Sequence, residues 1–281
     1  MLLVLPIAVC AAAPGAASKP EQCRQMLDQA LQEKNPDTRK QAVIALSLAA
    51  STEPFLSLLE SMLQDKDVEV RLAVISSLVD LRSRRTRAAL EKAQHDDVPE
   101  VSFAATKALW GLHDPAGKQA LLSILAGDTK ASSSFLTAHM REGLRMMHTP
   151  KTLFLFAFAQ GIGFVPLPGL GEGISSMQGL LADPGVSGRA TAALLLGRQR
   201  DPETTTALRD ALGDKDWSVR AAAIHSLALQ NNPAFQADFA SLLDDKKEAV
   251  RLRAASGYLR LEAIKSRSAH RSGRRSAAAR K

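Results

Sequence analysis

The chain is poor in residues that cross-link a fold or fill an aromatic core. Its 281 residues include two cysteines, one tyrosine and two tryptophans. If the apolar N-terminal segment that contains Cys10 is removed, only Cys23 remains, so the mature chain can form no internal disulfide. Stability must therefore come from helix packing. Cys23 falls in a predicted first helix over Pro20–Glu33 and is interpreted as a packed small residue.

Signature motifs of common enzyme classes are also missing. The sequence has no G-x-S-x-G motif of a serine hydrolase, and Gly117-Lys118 is followed by Gln119 where a phosphate-binding loop needs Ser or Thr. No apolar run is long enough for a membrane-spanning helix. We therefore predict no catalytic residue, no cofactor and no metal site, and the sequence names no reaction.

What the chain does contain is an internal repeat. The best copy, Asp214–Leu229, has an acidic turn, then Val219-Arg220, then alanines and leucine at the spacing of one helix face. The other copies are Asn35–Ala49, Asp65–Leu81, Asp96–Leu112, Asp183–Gly197 and Asp244–Leu261. They align at Arg39, Arg71, Ser102, Ser187, Arg220 and Arg251, with steps of 32, 31, 85, 33 and 31 residues. A fixed period of this size predicts an all-α fold, an α-solenoid.

The polar residues at the turns have a predicted structural role. Asp67, Asp97 and Asp216 are placed to cap the free N–H groups of the helices that follow them. Arg71 and Arg220 lie four residues after two of these acids, so each is expected to meet the Asp of its own or the preceding repeat. The predicted structural ladder, which is not a catalytic set, consists of Asp67, Arg71, Asp216, Arg220 and Arg251.

The acidic turn, the Val-Arg pair and the alanine-rich helix, as in DKDVEVRLAVISSL at 65–78, resemble HEAT repeats, in particular the short HEAT-like type found in phycobilin lyases. The resemblance covers about 35–128 and 183–263. It implies a curved stack of antiparallel helix pairs that binds other macromolecules. Deoxyhypusine hydroxylases of this type bind two irons through His-Glu dipeptides, and this sequence contains none, so that reaction is not expected.

The interval 131–182 breaks the period and holds a cluster of phenylalanines before a Gly/Pro-rich stretch. Three interpretations stay open: a core beneath a long loop, an exposed loop over 161–173 that docks a protein or inserts shallowly into lipid, and a glycine loop that binds an anion before a helix over Ile174–Leu181. The candidate interaction residues are Phe154, Phe156, Phe158, Phe164, Val165, Pro166, Leu167, Pro168 and Leu170.

The N-terminal residues Met1–Ser18 resemble a secretory signal peptide, because the apolar run Leu2–Val9 is followed by small residues. We therefore predict export to the periplasm or the cell surface. The two alternatives are an apolar N-terminus on a cytoplasmic protein and a lipid-bearing Cys10.

The C-terminal stretch Lys265–Lys281 carries seven Lys or Arg residues and no acid, which equals the whole net charge of +7. It is predicted to be disordered, and either to bind anionic membrane lipid or a cell-envelope polymer or to act only as a solubilising tail. Nucleic acid is not an expected partner, because the repeats have no basic excess. The tail residues singled out are Arg267, Arg271, Arg274 and Arg275.

The predicted organisation has five parts, which are a signal peptide (1–18), N-terminal repeats (20–130), an atypical segment (131–182), C-terminal repeats (183–264) and a basic tail (265–281). The predicted function is that of an exported, non-enzymatic scaffold that binds a protein partner through the solenoid groove and 154–173. The alternatives are a peripheral membrane protein that uses the loop and the tail, and a lyase-like enzyme that acts on a small molecule.

Overall fold

The computed structural model describes residues 18–81, 84–126, 187–197 and 199–278, and over these residues the chain is helical and contains no strand. Residues 1–17 of the predicted signal peptide and the Phe/Gly/Pro segment over 154–173 therefore lie outside the described residues. The helices are α1 (Lys19–Leu31), α2 (Pro36–Leu46), α3 (Phe55–Ser61), α4 (Val68–Leu81), α5 (Arg84–Ala93), α6 (Pro99–Gly111), α7 (Pro115–Ala126), α8 (Gly188–Leu196), α9 (Pro202–Asp210), α10 (Trp217–Leu229), α11 (Gln236–Ala240) and α12 (Glu248–Ala278).

Six helices carry the aligned repeat position at or next to their first turn, and we call them the ladder helices: α2, α4, α6, α8, α10 and α12. Consecutive ladder helices pack against each other, α2 on α4 and α4 on α6 in one block, α8 on α10 and α10 on α12 in the other. The intervening helices α3, α5, α7, α9 and α11 pack beside them. This arrangement of stacked helix pairs confirms the predicted all-α solenoid.

The two repeat blocks join through the ends of the chain. Helix α12 packs against both α1 and α2, so the spatial order of the ladder helices is α8, α10, α12, α2, α4, α6. Three hydrogen bonds cross this junction: Thr38 Oγ1 to Glu248 Oε2 at 3.0 Å, Arg253 Nη1 to the Gln41 side-chain oxygen at 3.2 Å, and Arg260 Nη1 to the Leu48 carbonyl at 2.8 Å. Helix α1 packs against both α12 and α2 at this junction.

Alanine-rich sequence allows the ladder helices to approach closely. All eight residues over 221–228 of α10 are buried, which is more than two turns and hence the whole circumference of the helix. At Gly257 of α12, an added Cβ would lie 3.0 Å from the Phe239 ring and 3.5 Å from the Ala228 Cβ. The middle of the stack is therefore a close-packed core and offers no open groove along α10.

The structure differs from the prediction of a disordered C-terminal tail. Helix α12 continues through the predicted boundary at residue 265 and ends at Ala278. Extending an existing helix needs no new nucleation, and alanine and arginine are good helix formers. The hydroxyls of Ser266 and Ser268 bond to carbonyls four residues earlier, at 2.9 and 3.0 Å. Within the described ranges, no helix has the length and apolar character needed to cross a membrane.

Candidate interaction surface

The arginines at the aligned position bind the acidic turn of the next repeat. Arg39 makes a bidentate contact with Asp65 at 2.7 and 2.8 Å, and Arg220 makes the same contact with Asp245 at 2.8 and 2.7 Å. Arg71 reaches Asp96 at 3.1 Å. We call each of these arginine–carboxylate pairs a rung. Every rung reaches the acidic turn of the next repeat along the chain, so the carboxylate that the arginine binds is not in its own or the preceding repeat, as was expected. Contact with an Asp of the same repeat is made through a backbone carbonyl.

Each arginine also holds the turn of its own repeat. The carbonyl six residues before the arginine accepts a hydrogen bond from Nη1, at distances between 2.7 and 2.8 Å, in the pairs Glu33–Arg39, Asp65–Arg71, Asp214–Arg220 and Asp245–Arg251. A helical side chain leans toward the N-terminus of its helix, and this direction places the guanidinium between the two turns. One arginine therefore ties two consecutive turns together.

Some aspartates of the turns cap the following helix, and others pair with an arginine. Asp67 and Asp216 accept hydrogen bonds from backbone N–H groups of the next helix, as their sequence positions predict. At α6 the N-cap is Val98 and no side chain caps the helix, so the prediction that Asp97 caps it is wrong. Asp96 accepts from the Val98 N–H at 2.9 Å, as Asp65 and Asp214 do from the residue two positions later. Val98 occupies the N-cap position that Asp67 and Asp216 occupy in their repeats, and its apolar side chain cannot accept a hydrogen bond from the helix.

Two of the carboxylates that pair with arginines, those of Asp65 and Asp245, are held in the charged form. Burial alone would raise the pKa of Asp65, but hydrogen bonds from Arg39 and from the Asp67 N–H outweigh it, and the pKa lies below its ordinary value. The pKa of Asp245 is lowered by the same balance, with Arg220 and the Lys247 N–H as donors. Charged acids that accept hydrogen bonds in this way have a structural role.

The contacts of the aligned arginine are different at the junction where α12 packs against α2. Among the described residues Arg251 bonds to the carbonyls of Asp245 and Lys246 and to no carboxylate. In spatial order the next turn is the one before α2, where Glu33 stands at the position of the other rung acids. The junction is therefore fastened by its three hydrogen bonds and by apolar packing instead of by a rung.

Large apolar side chains are exposed at the two ends of this spatial order. Trp110 on α6 is 50% exposed and Leu195 on α8 is 43% exposed, and each follows its aligned serine by eight residues. In the helices between them that position is occupied by Val79, Ser47, Leu259 and Ala228, none of which is exposed. Leu122 of α7 and Leu196 of α8 are exposed as well. Among the described residues, the large exposed apolar side chains thus lie in the helices at the two ends of the spatial order.

One exposed face of α6 combines apolar and charged groups, and we call Phe103, Lys107 and Trp110 the α6 stripe. The three residues are spaced i, i+4 and i+7, which places them on one side of the helix. The Lys107 ammonium lies 6.0 Å from the centre of the Phe103 ring, a cation–π contact. Desolvation lowers the pKa of Lys107. The sequence analysis missed this stripe, although the i, i+4, i+7 spacing of its residues can be read in the repeat copy over Asp96–Leu112.

The predicted interaction residues fall in different places. All nine residues of the candidate loop, Phe154 to Leu170, lie outside the described residues. Of the basic tail, Arg267 is exposed on α12, and positions 271, 274 and 275 belong to the same helix. In the part of the chain that the structure describes, no group of three or more His, Cys, Asp or Glu residues could hold a metal ion.

Comparison with known proteins gives one family. A family profile described as HEAT repeats matches residues 56–133 and 176–260. No curated protein matches the chain. Among solved structures, that of human deoxyhypusine hydroxylase in complex with glycerol is similar, with 16% sequence identity, coverage of 87% of this chain and 97% of that chain, and a TM-score of 0.31. That degree of likeness transfers no activity to this chain.

Proposed function

Because the chain belongs to the HEAT-repeat family, we propose that it is a non-enzymatic scaffold that binds a protein partner through the α6 stripe. HEAT repeats commonly mediate contacts between proteins, since stacked helix pairs present extended surfaces. The observation that carries the proposal is the half-exposed Trp110, at a repeat position that is covered in the four ladder helices between α6 and α8.

The size of Trp110 makes it a strong anchor. An aromatic side chain of this kind buries roughly 200 Å² when fully covered, so covering the exposed half removes about 100 Å² from water. At about 25 cal/mol per Å² this contributes about 2.5 kcal/mol. Tryptophan is also among the residues enriched at the energetic centres of protein interfaces.

The partner implied by the α6 stripe is a protein segment with apolar side chains and one acidic group. Phe103 and Trp110 offer apolar surface, and Lys107 between them carries a positive charge in a partly desolvated setting. An acidic side chain opposite Lys107 would fix the register of the bound segment.

The test uses matched serine substitutions at two exposed apolar positions. Proteins that copurify with the wild type are compared with those retained by Trp110→Ser and by Leu196→Ser, after circular dichroism shows that both variants are folded. The partner lost only with Trp110→Ser is then purified and titrated calorimetrically. We expect Trp110→Ser to weaken binding about 60-fold, which corresponds to about 2.5 kcal/mol. Lys107→Glu should weaken it in a way that charge reversal on the partner restores. Equal binding by both serine variants rejects the α6 stripe as the docking site.

Export and a contribution of residues 154–173 belong to the same proposal. What supports export is the apolar run Leu2–Val9 with the small residues behind it. Cell fractionation and mass spectrometry of the N-terminus test it, and an intact Met1 in the cytoplasmic fraction would reject it. Flotation with anionic vesicles that deletion of 162–171 abolishes, or a pigment that copurifies, would instead favour the membrane or the lyase-like alternative.

A further inference from the structure

Helix α12 runs past the end of its packing against the other described helices. Every residue from Ala249 to Ile264 is at least partly buried, whereas Lys265 and the four residues after it are all exposed. Five consecutive residues cover more than one helical turn, so the described residues leave the helix uncovered on every side at this level. The helix continues to Ala278, which places about 21 Å of it after Ile264. We call Lys265–Ala278 the α12 extension.

The α12 extension is positively charged and contains no acid. Its basic residues are Lys265, Arg267, Arg271, Arg274 and Arg275. The last acid of the chain is Glu262, and its carboxylate accepts a hydrogen bond from the Gln236 side chain of the repeats. The net positive charge of the chain is therefore concentrated at the C-terminal end, where no acid of the same segment neutralises it.

The four arginines of the extension share one face of α12, and we call them the α12 basic stripe. Positions 267, 271, 274 and 275 are spaced i, i+4, i+7 and i+8, so they fall within about 100° of the helix circumference. Arg260 precedes Arg267 by seven residues and lies on the same side. Burial and the charge of Arg267 lower the pKa of Arg260, which is the effect of a nearby like charge.

The other side of the extension has only short side chains apart from Lys265. The positions on that side are occupied by Ser266, Ser268, Ala269, Ser272, Gly273, Ser276 and Ala277. None of these side chains is large and apolar, so the extension has nothing to insert into a hydrocarbon layer. Any binding by this helix must therefore be electrostatic and sensitive to salt.

We propose that the α12 basic stripe binds the anionic surface of a phospholipid membrane at the level of the headgroups. Guanidinium groups match the oxygen geometry of phosphates, and clusters of Lys and Arg on a helix attract anionic lipid. A stripe on one side of a straight helix fits a flat surface. A nucleic-acid groove has phosphates on both walls, and the repeats, which are neutral overall, offer no second basic surface to meet them. The contact is separate from the α6 stripe, so a protein partner can bind there at the same time.

The experiment measures flotation of the full-length chain with increasing amounts of vesicles. Vesicles made of equal parts of phosphatidylglycerol and phosphatidylcholine are compared with vesicles of phosphatidylcholine alone. The excess flotation with the anionic vesicles is the quantity of interest, because it subtracts any contribution of the apolar run Leu2–Val9.

Two variants remove the same amount of charge from different places. The stripe variant combines Arg267→Gln, Arg271→Gln, Arg274→Gln and Arg275→Gln, and glutamine keeps the helix propensity. The control variant combines four changes at exposed lysines of the repeat turns and of α5, which are Lys66→Gln, Lys92→Gln, Lys215→Gln and Lys246→Gln. Both variants lose four positive charges, so they differ in where the charge is lost and not in net charge.

Each Lys or Arg near an anionic surface contributes about 1 kcal/mol, which is about fivefold in the partition constant. The stripe variant should therefore partition onto anionic vesicles roughly several hundred-fold more weakly than the wild type, whereas the control variant should lose about fivefold at most. High salt should release the wild type from the anionic vesicles.

Three outcomes overturn the proposal. Equal flotation of the stripe and control variants would mean that the position of the charge does not matter. Excess flotation that persists in high salt would mean that another part of the chain inserts into the lipid. Tighter binding of the wild type to duplex DNA than to anionic vesicles at the same salt concentration, lost in the stripe variant, would assign the stripe to nucleic acid. None of these outcomes affects the test of Trp110, which measures binding of a protein partner.

Discussion

Replacing Arg39 with methionine should destabilise the fold far more than the same change at Arg189, although both arginines form rungs. The Arg39 and Asp65 side chains are 5% and 7% exposed, and the guanidinium makes four hydrogen bonds, two to Asp65 and two to the carbonyls of Glu33 and Lys34. Arg189 pairs with Asp214 while its own side chain remains 58% exposed. The two variants therefore remove the same kind of pair at different depths.

The expected magnitudes follow from solvent access. Removing one partner of a buried pair costs about 3 to 5 kcal/mol, because the remaining charge stays buried without compensation. The cost at Arg39 should lie near the lower end, about 3 kcal/mol, because Asp65 keeps the hydrogen bond from the Asp67 N–H. The Arg189 pair is solvent-exposed, and such pairs contribute less than about 1 kcal/mol.

Urea unfolding followed by circular dichroism measures both free energies, and the slopes must agree for the comparison to hold. Asp65→Asn and the double variant complete a cycle, in which the coupling energy of Arg39 with Asp65 should be about 1 to 3 kcal/mol. If Arg39→Met costs no more than Arg189→Met, burial does not govern the strength of the rungs, and the explanation given for the ladder is wrong.

Three further outcomes are expected. Gly117→Ala should destabilise the fold by about 1 to 3 kcal/mol, because the added Cβ would lie 2.3 Å from the Trp110 backbone nitrogen. Gly213→Ala is the control and should be neutral, because its Cβ would meet nothing within 4 Å. Thermal unfolding of the two variants checks the difference. Burial, with the nearby arginines, lowers the pKa of His225 from 6.5 to about 3, so between these values the unfolded chain binds the extra proton. Stability in chloride buffer should therefore fall as the pH drops below about 6.5, by about 2 kcal/mol at pH 5, and His225→Leu should lose that part of the pH dependence. Cleavage at a protease site inserted within 127–186 should leave the two fragments associated on gel filtration, because α12 packs on α1 and α2; separate elution would contradict the junction.

Local signals in the sequence were enough to place the repeat helices. The repeat copies over Asp65–Leu81 and Asp96–Leu112 contain α4 and α6, each of which begins after its acidic turn. These elements have an acid at or before the start and apolar residues at helical spacing, and both features act within a few residues. Helix position was therefore predictable without knowledge of the stack.

The contacts between distant parts of the chain were not predictable in the same way. Thr38 and Glu248 are 210 residues apart, and neither residue has a local feature that reports the other. The forward direction of the rungs was also missed, because an arginine four residues after an acid suggests a local pair. Only the stacked arrangement shows that the guanidinium is closer to the next turn.

The spatial order of the ladder helices explains which aligned positions carry serine instead of arginine. Ser102 and Ser187 are at the start of α6 and α8, which are the two ends of the order of ladder helices within the described residues. At α8 the rung is made by Arg189 instead, and the Ser187 hydroxyl lies 3.3 Å from that of Ser218. The position eight residues after the aligned residue is covered in the four ladder helices that have a ladder helix on both sides. In α6 and α8, the same position holds an exposed apolar residue. A protein partner bound there would extend the stack by covering surface that each middle repeat covers with the next repeat.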